Sequence, residues 1–176
     1  LSDKSANEYD AENGKNAEVK DGELVLKGGE SYISTPLDKV GPEKELSFDI
    51  TLTQPAEPGQ ILFEAEKDED HEAYSTHNIR IMEDGTLGFT REGYDYSFGY
   101  KLPVNQKVSL TIRTDGDVTS LIADGKKYTA TGSYTYEGDL KASNISRASL
   151  SLPTERIGSK TNAVNAVIDN IVLTSK

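Results

Sequence analysis

Residues 91–103 read REGYDYSFGYKLP, and an aromatic side chain occupies every second position from Tyr94 to Tyr100. The residues between them, such as Asp95 and Ser97, are small or polar. Successive side chains of a β-strand point to opposite faces, so the aromatic side chains share one face and the polar ones share the other. The pattern predicts a strand and leaves open whether its aromatic face is core or a platform for a ligand.

The register of this strand depends on the turn before it. Leu87 and Phe89 in the preceding segment set the inward face at odd numbers, which would turn Tyr94 and Tyr96 outward if one strand ran straight through. A break at residues 92–93, Glu-Gly, resets the register and turns the same tyrosines inward. Both interpretations stay open at this stage.

Strand patterns extend along the rest of the chain. Lys44–Thr53 alternates cleanly, with Leu46, Phe48 and Ile50 on one face. Asp-Gly pairs at 84–85 and 124–125 indicate tight hairpin turns. About a dozen short strands with turns every 8–12 residues predict an all-β fold, an antiparallel β-sandwich. Further segments are predicted as strands at Glu23–Gly28, Ser31–Thr35, Gln60–Glu66, His77–Met82, Thr86–Thr90, Lys107–Arg113, Val118–Ala123, Lys127–Thr131, Ala148–Leu152 and Ala166–Thr174.

Two polar segments interrupt this pattern. Residues 1–18 are rich in Asn, Glu, Asp and Lys, and we expect a loose segment or a first strand there. Gly132–Ser146 is expected to be a long loop, with Tyr134 and Tyr136 exposed on it. The length of 176 residues fits one domain spanning 1–176, and the start at Leu1 suggests a domain cut from a longer multidomain protein.

Composition narrows the possible partners. Nineteen basic against thirty acidic side chains give a net charge of −11, which disfavours nucleic acid because phosphate binding depends on Lys and Arg. The absence of cysteine excludes a thiol nucleophile, a disulfide framework and a thiolate metal site. No apolar run approaches the ~20 residues that span a bilayer, so membrane insertion is not expected. We expect a monomer.

Three segments resemble a known family. IRIMEDGTLGFTREGYDYSFGYKLPVNQKVSLTI (79–112), TSLIADGKKY (119–128) and LPTERIGSKTNAVNAVIDNIVL (152–173) are similar to concanavalin A-like (laminin-G-like) jelly-roll domains. More narrowly, they resemble the accessory domains of secreted Gram-positive beta-N-acetylhexosaminidases and related glycosidases. The likeness covers residues 23–176. The sequence departs from many relatives at Gln106-Lys107, where they carry a Trp.

The resemblance implies a non-catalytic carbohydrate-binding module of an extracellular bacterial glycoside hydrolase. The implied ligands are glycans ending in galactose, N-acetyllactosamine or N-acetylglucosamine, and the implied second partner is the attached catalytic domain. The implied location is extracellular or attached to the cell wall. An alternative is a spacer domain that packs on its catalytic neighbour without binding sugar.

Sugar binding needs an aromatic plate and a few polar groups that form paired hydrogen bonds. The sequence places both types around the opening stretch. The candidate plates are Tyr94, Tyr96 and Tyr100, and the candidate polar partners are Arg91, Asp95, Asn78 and Arg80.

A glucanase-like enzyme is the weaker alternative. Retaining glycosidases need two carboxylates that flank the scissile bond, and residues 64–68 carry alternating carboxylates at Glu64, Glu66 and Asp68. The spacers Ala65 and Lys67 do not fit the bulky apolar residues of active relatives. Absence of catalysis is therefore the expectation.

The resemblance also implies a structural calcium ion, for which oxygen ligands are suited. Asp169 is the best candidate ligand, with Asp10 or Glu8 from the N-terminal segment as its partner. The acidic run Asp68–Asp70 lacks the glycine spacing of a dedicated calcium loop.

Overall fold

A computed structural model describes residues 14–35, 44–65, 78–91, 94–115, 118–136, 139–145 and 155–175. Side chains are described at these positions except 44, 91, 94, 133–136, 139–145 and 175. Every regular element in these ranges is a strand, which confirms the predicted all-β class. The strands are β1 Gly14–Lys15, β2 Ala17–Lys20, β3 Glu23–Ser34, β4 Lys44–Leu52, β5 Ile61–Glu64, β6 Asn78–Ile81, β7 Leu87–Arg91, β8 Tyr94–Tyr100, β9 Val108–Asp115, β10 Val118–Ala123, β11 Lys126–Thr129, β12 Thr131–Tyr136, β13 Asp139–Ile145 and β14 Arg156–Ser175.

The described strands form one folded sheet around the long strand β14. Hydrogen bonds connect them in the order β11-β10-β9-β4-β14-β5-β6-β7-β8-β12-β13, and β3 also pairs with β14. The N-terminal part of β14, from Arg156 to Ala163, pairs with β5. Its C-terminal part, from Ala166 to Ser175, pairs with β4. A change of register between Ser159 and Ala163 separates the two parts, so one strand belongs to both halves of the sheet.

The two halves of the sheet enclose a single apolar core. Phe48 of β4 and Phe63 of β5 meet in it, edge to face, with ring centroids 5.2 Å apart. Further buried side chains come from β3, β6, β7, β8, β9 and β10. Because both halves contribute their inner faces to one core, the arrangement is the predicted antiparallel sandwich.

The clearest alternating segments fold as predicted. Along β4 the side chains of Leu46, Phe48, Ile50 and Leu52 are buried. The turn before β11 is the expected hairpin, with positive φ of 50° at Asp124 and 73° at Gly125. Both values lie in the left-handed region, which Gly and Asp adopt most readily.

Three local predictions differ from the structure. Gly28 and Gly29 do not end a strand, because their positive φ of 73° and 57° lets β3 bend and continue to Ser34. Strict alternation along the predicted strand Gln60–Glu66 would put Leu62 and Phe63 on opposite faces, but Leu62 is the extra residue of a bulge and is buried beside Phe63. The polar segment predicted as a loop at Gly132–Ser146 contains strands β12 and β13.

The remaining segments add two observations. Strands β1 and β2 begin within residues 1–18, where the sequence left a first strand open. The strand predicted at Ala148–Leu152 lies outside the described residues. In the described part of the chain, no helix is long and apolar enough to cross a membrane.

Candidate functional site

The hairpin from β7 to β8 decides which face of β8 is inside. Arg91 pairs with Tyr94, so Phe89 lies directly opposite Tyr96 and shares its face. A two-residue connection thus moves the inward face from odd numbers on β7 to even numbers on β8. The register is reset, as the second interpretation of the sequence required.

Tyr96 therefore belongs to the core. It is 6% exposed, and its ring stacks on Phe89 with centroids 4.8 Å apart. Gly132 on the neighbouring strand leaves room for this ring, since a Cβ there would lie 2.4 Å from Tyr96 Cε1. A ring that is stacked on Phe89 and buried on this scale packs as a core side chain, which does not favour the interpretation of Tyr96 as a platform for a sugar.

Tyr100 also faces away from the polar side of β8. It is partly buried against the core, and its ring lies 5.3 Å from that of Tyr128. Burial, with smaller contributions from Asp124 and Tyr128, raises the pKa of the Tyr100 hydroxyl. The structure thus separates Tyr100 from the polar candidates. The side chains of Arg91 and Tyr94, and of Tyr134 and Tyr136, lie outside the described residues.

The polar candidates share the opposite face of the sheet. Successive pairings place Asp95 opposite Thr90, Thr90 opposite Asn78, and Asn78 opposite Glu64. Glu64 lies in turn opposite Arg156 of β14. Directly opposed residues share a face, so these side chains form one row across five strands. We call it the polar row (Asp95, Thr90, Asn78, Glu64 and Arg156).

One end of the polar row carries a half-exposed ion pair. Arg80 Nη2 donates to Asp95 Oδ1 over 2.9 Å, and Thr90 Oγ1 donates to the same oxygen over 2.6 Å. The side chains of Arg80 and Asp95 are 28% and 48% exposed. Asn78 Oδ1 and Arg80 Nε are buried without a hydrogen-bond partner among the described residues. Buried polar atoms normally have one, and Arg156 Nε at the other end of the polar row likewise lacks one among the described residues.

An open groove of about 440 Å³ lies beside this ion pair. Its described polar lining comes from Arg80, Glu83, Asp84, Asp95, Ser97 and Thr131. Its other lining residues are Pro58, Gly59, Ile81, Met82 and Tyr96. The groove therefore contains two of the polar residues that the sequence predicted, Arg80 and Asp95, and Asn78 lies on the adjoining face.

A chain of hydroxyl groups orients Asp84 at the groove. Thr86 Oγ1 donates to Asp84 Oδ1 over 2.5 Å, and the Thr86 amide donates to the same oxygen over 3.0 Å. Ser97 Oγ lies 2.6 Å from Thr86 Oγ1 and accepts the Gly99 amide over 2.9 Å. The Thr86 hydroxyl and amide hold the pKa of the Asp84 carboxyl below its usual value, against a smaller opposing effect of burial, and Lys101 adds a small further decrease.

At the other end of the polar row the carboxylate is nearly buried, and both of its oxygens accept hydrogen bonds. Arg156 Nη1 and the Lys160 amide both donate to Glu64 Oε1, over 2.6 and 2.7 Å, and Ser159 Oγ donates to Oε2 over 2.9 Å. Glu64 and Arg156 side chains are only 12% and 6% exposed. Glu64 therefore ties β5 to β14, which does not suit the catalytic alternative. Glu66 lies outside the described residues.

Among the described residues, Asp169 does not form a cation site together with other ligands. It lies opposite Asp49, and its Oδ1 accepts the Asn170 amide over 2.8 Å. Asp49 accepts hydrogen bonds from Ser109 and Asn170 and lies 3.8 Å from Lys107. In the described ranges no group of three acidic or histidine side chains could hold a metal. Calcium takes six to eight oxygen ligands, so this site needs ligands from elsewhere. Asp10, Glu8 and Asp68–Asp70 lie outside the described residues, and calcium stays a prediction.

Several residues of this face were not singled out in the sequence. Thr86 and Thr90 looked like ordinary strand residues, and Asp84 was interpreted only as part of a turn. Arg156 is distant in sequence from the groove, so only strand pairing reveals that it shares this face. One sequence signal could have shown which side of β8 is polar: two residues, 92 and 93, connect it to β7, and this number sets the register of the hairpin.

Comparisons with solved structures identify the fold. No protein-family profile matches the chain, and no curated protein matches its sequence. The CBM66 carbohydrate-binding module from Bacillus subtilis has a TM-score of 0.50 at 15% identity, over 93% of this chain and 92% of that one. Domain 4 of AbnA, a GH43 extracellular arabinanase from Geobacillus stearothermophilus in complex with arabinotriose, has a TM-score of 0.53 at 15% identity, over 90% and 74%.

A third similar structure is the Trypanosoma rangeli sialidase, with a TM-score of 0.57 at 15% identity. The match covers 90% of this chain but only 26% of the sialidase. The chain therefore has a sandwich fold that also occurs in carbohydrate-binding modules and in domains of glycosidases. The narrower assignment to the concanavalin A-like group stays a prediction.

Proposed function

We propose that the chain is a non-catalytic carbohydrate-binding module that binds a glycan in the groove beside Arg80 and Asp95. The observation that carries the proposal is the half-exposed ion pair at this groove. Asp95 Oδ1 is bonded to Arg80 and Thr90, whereas its Oδ2 makes no hydrogen bond within the described part of the chain. A fixed carboxylate with one free oxygen, next to a guanidinium, suits the adjacent hydroxyl groups of a sugar.

The fold supports this proposal, because similar sandwiches include a carbohydrate-binding module and an arabinanase domain bound to arabinotriose. The finer parts of the proposal come from the sequence resemblance. They are an extracellular or cell-wall-attached bacterial glycoside hydrolase as the parent protein, and galactose, N-acetyllactosamine or N-acetylglucosamine as the terminal sugar. Linkage to a catalytic domain would strengthen the overall binding of the two domains to a glycan, because the linker raises the effective concentration of the second domain once the first is bound. Arg91 and Tyr94 stay candidates for the rim of the groove.

The spacer alternative receives no support from the described surface. The large apolar side chains that are exposed in the described ranges are Val104 and Val172. Two isolated residues are ordinary for a soluble surface. A docking face for a catalytic neighbour would require a larger contiguous patch.

Glycan binding by the isolated chain tests the proposal. A glycan array identifies ligands, and calorimetry then compares the wild type with Arg80→Met and Asp95→Asn. We expect each substitution to lower affinity about tenfold, because each removes a charge-assisted hydrogen bond. Arg113→Met is the matched control, since Arg113 is 34% exposed and also ion-paired, but lies on β9. Silence on the array, or equal losses in Arg80→Met and Arg113→Met, would contradict the proposal.

A further inference from the structure

Among the described residues that line the groove, carboxylates outnumber cations, and this imbalance bears on which sugar it selects. Its lining includes the carboxylates of Glu83, Asp84 and Asp95 against the guanidinium of Arg80. Arg80 is itself paired with Asp95. Carboxylates accept hydrogen bonds and cannot donate them. Ser97 and Thr131 also line the groove, and Lys101 is near enough to Asp84 to lower its pKa, so it is at the three carboxylates that a ligand must supply donors.

The two carboxylates that the structure orients are held in the same way. Asp84 Oδ1 accepts two bonds from Thr86, and Asp95 Oδ1 accepts one from Thr90 and one from Arg80. The second oxygen of each makes no hydrogen bond within the described residues. Each aspartate is thus fixed through one oxygen and keeps the other for a ligand.

The hydroxyl chain places these aspartates near each other. Ser97 Oγ and Asp84 Oδ1 both contact Thr86 Oγ1, at 2.6 and 2.5 Å. Ser97 lies two residues after Asp95 on the same face of β8, which corresponds to about 7 Å along a strand. Both aspartates are among the residues that line the groove, with Thr86 and Ser97 between them.

We infer that the groove selects glycans by charge, so that a sugar with a protonated amine binds more tightly than its N-acetyl counterpart and an acidic sugar binds weakest. The inference rests on the proposed function and names its ligand class. An ammonium group supplies three donors and a positive charge to a lining with an excess of carboxylates. A sugar carboxylate or sulfate brings only acceptors and repels the same lining.

Two series of three matched sugars test the ranking. Glucosamine, N-acetylglucosamine and glucuronic acid have the gluco configuration and differ in charge. Galactosamine, N-acetylgalactosamine and galacturonic acid repeat the series in the galacto configuration. Titration at pH 5.5 and low salt should give about fivefold to tenfold tighter binding of the amine than of the N-acetyl sugar, in the configuration that binds. The acidic sugar should bind at least about fivefold more weakly than the N-acetyl sugar. High salt should reduce both differences.

Two variants separate the groove from the overall charge of −11. Asp84→Asn keeps an oxygen that can accept from Thr86 but removes the charge, so the preference for the amine should fall by about half. Asp21→Asn removes one charge at an exposed turn remote in sequence, where φ of 52° is readily adopted by Asn. This control should retain the full preference.

The outcomes distinguish the two proposals. Equal affinity for all three charge states, or tighter binding of the acidic sugar, overturns the charge ranking and leaves carbohydrate binding intact. Equal effects of Asp84→Asn and Asp21→Asn overturn it as well, because the preference then comes from net charge. Failure of every glycan to bind overturns the proposed function and, with it, this inference.

Discussion

Each end of the polar row has a carboxylate paired with a guanidinium, Asp95 with the adjacent Arg80 and Glu64 with Arg156, in two different environments. Glu64 and Arg156 are nearly buried, and both carboxylate oxygens accept hydrogen bonds from the protein. Asp95 and Arg80 are partly exposed, and one oxygen of the Asp95 carboxylate has no hydrogen bond from the described part of the chain. The first pair joins two strands, whereas the second faces the groove.

The difference shows that residue type alone does not define a binding site on this sheet. A carboxylate whose oxygens are all bonded has little left to offer a ligand. One held through a single oxygen is both oriented and available. Burial and the hydrogen bonding of the carboxylate, which depend on neighbours distant in sequence, distinguish the pair that joins two strands from the pair that we propose to contact a ligand.

The largest expected effect is on stability, at the Glu64 end of the row. Arg156→Met leaves Glu64 buried with its charge uncompensated, which should lower the free energy of unfolding by about 3–5 kcal/mol. Arg80→Met breaks an exposed pair and should cost less than about 1 kcal/mol. Urea unfolding of both variants measures the contrast. Similar losses in the two variants would remove the distinction between the ends.

A second effect separates the polar side of β8 from its aromatic side. Tyr96→Ala removes a buried ring stacked on Phe89 and should cost about 3 kcal/mol of unfolding free energy. Glycan affinity of the folded protein should stay within about twofold of wild type, because the ring is core. Calorimetry at a temperature where the variant is folded provides the measurement. A tenfold loss of affinity would return Tyr96 to the binding site.

A smaller effect is expected from the residue that positions Asp95. Thr90→Val removes the 2.6 Å hydrogen bond to Asp95 Oδ1 while keeping the shape of the side chain. The carboxylate becomes less well oriented, and affinity should fall by about 0.6 kcal/mol, or about threefold. Thr119→Val on β10, a buried threonine in the other half of the sheet, is the control for stability alone. Unchanged affinity in Thr90→Val would show that Asp95 needs no such support.

The smallest effect concerns protonation at the groove. The pKa of Asp84 is lowered by the Thr86 hydroxyl and amide. Asp84 therefore favours the folded state above the ordinary aspartate pKa of 3.8, and this contribution is lost as pH falls through the lowered pKa. Thr86→Val should move the pKa of Asp84 back toward 3.8. Carboxyl NMR titration of both proteins measures it, and identical titration curves would contradict the hydroxyl's role.

Much of the fold could be predicted because alternation and turn chemistry are local. The period-two pattern of Lys44–Thr53 and the Asp-Gly turn at 124–125 need no long-range information. Gly28 and Gly29 misled because glycine both ends strands and bends them. The polar composition of 132–146 concealed two strands, since β-structure also tolerates polar residues where packing does not demand apolar ones.

The candidate site was harder to predict, because strand pairing assembles it. Asn78, Arg80 and Asp95 were identified from their proximity in sequence to the aromatic stretch, and they do lie on the polar face. Arg156 reaches the same face only through the pairing of β14 with β5. Whether Tyr96 faces the core depends on the number of residues that connect β7 to β8, since one residue more or fewer would turn it to the other face. The alternation within β8 does not reveal this.

The position of β14 has a consequence for how the chain is made. The last of the described strands is also the one that pairs with β3, β4 and β5, and it connects the two halves of the sheet. During synthesis the earlier strands therefore emerge from the ribosome well before the strand that completes their hydrogen bonding. Strand pairings between residues this distant in sequence form slowly. Until β14 is available, the unpaired edges of the earlier strands are open to aggregation.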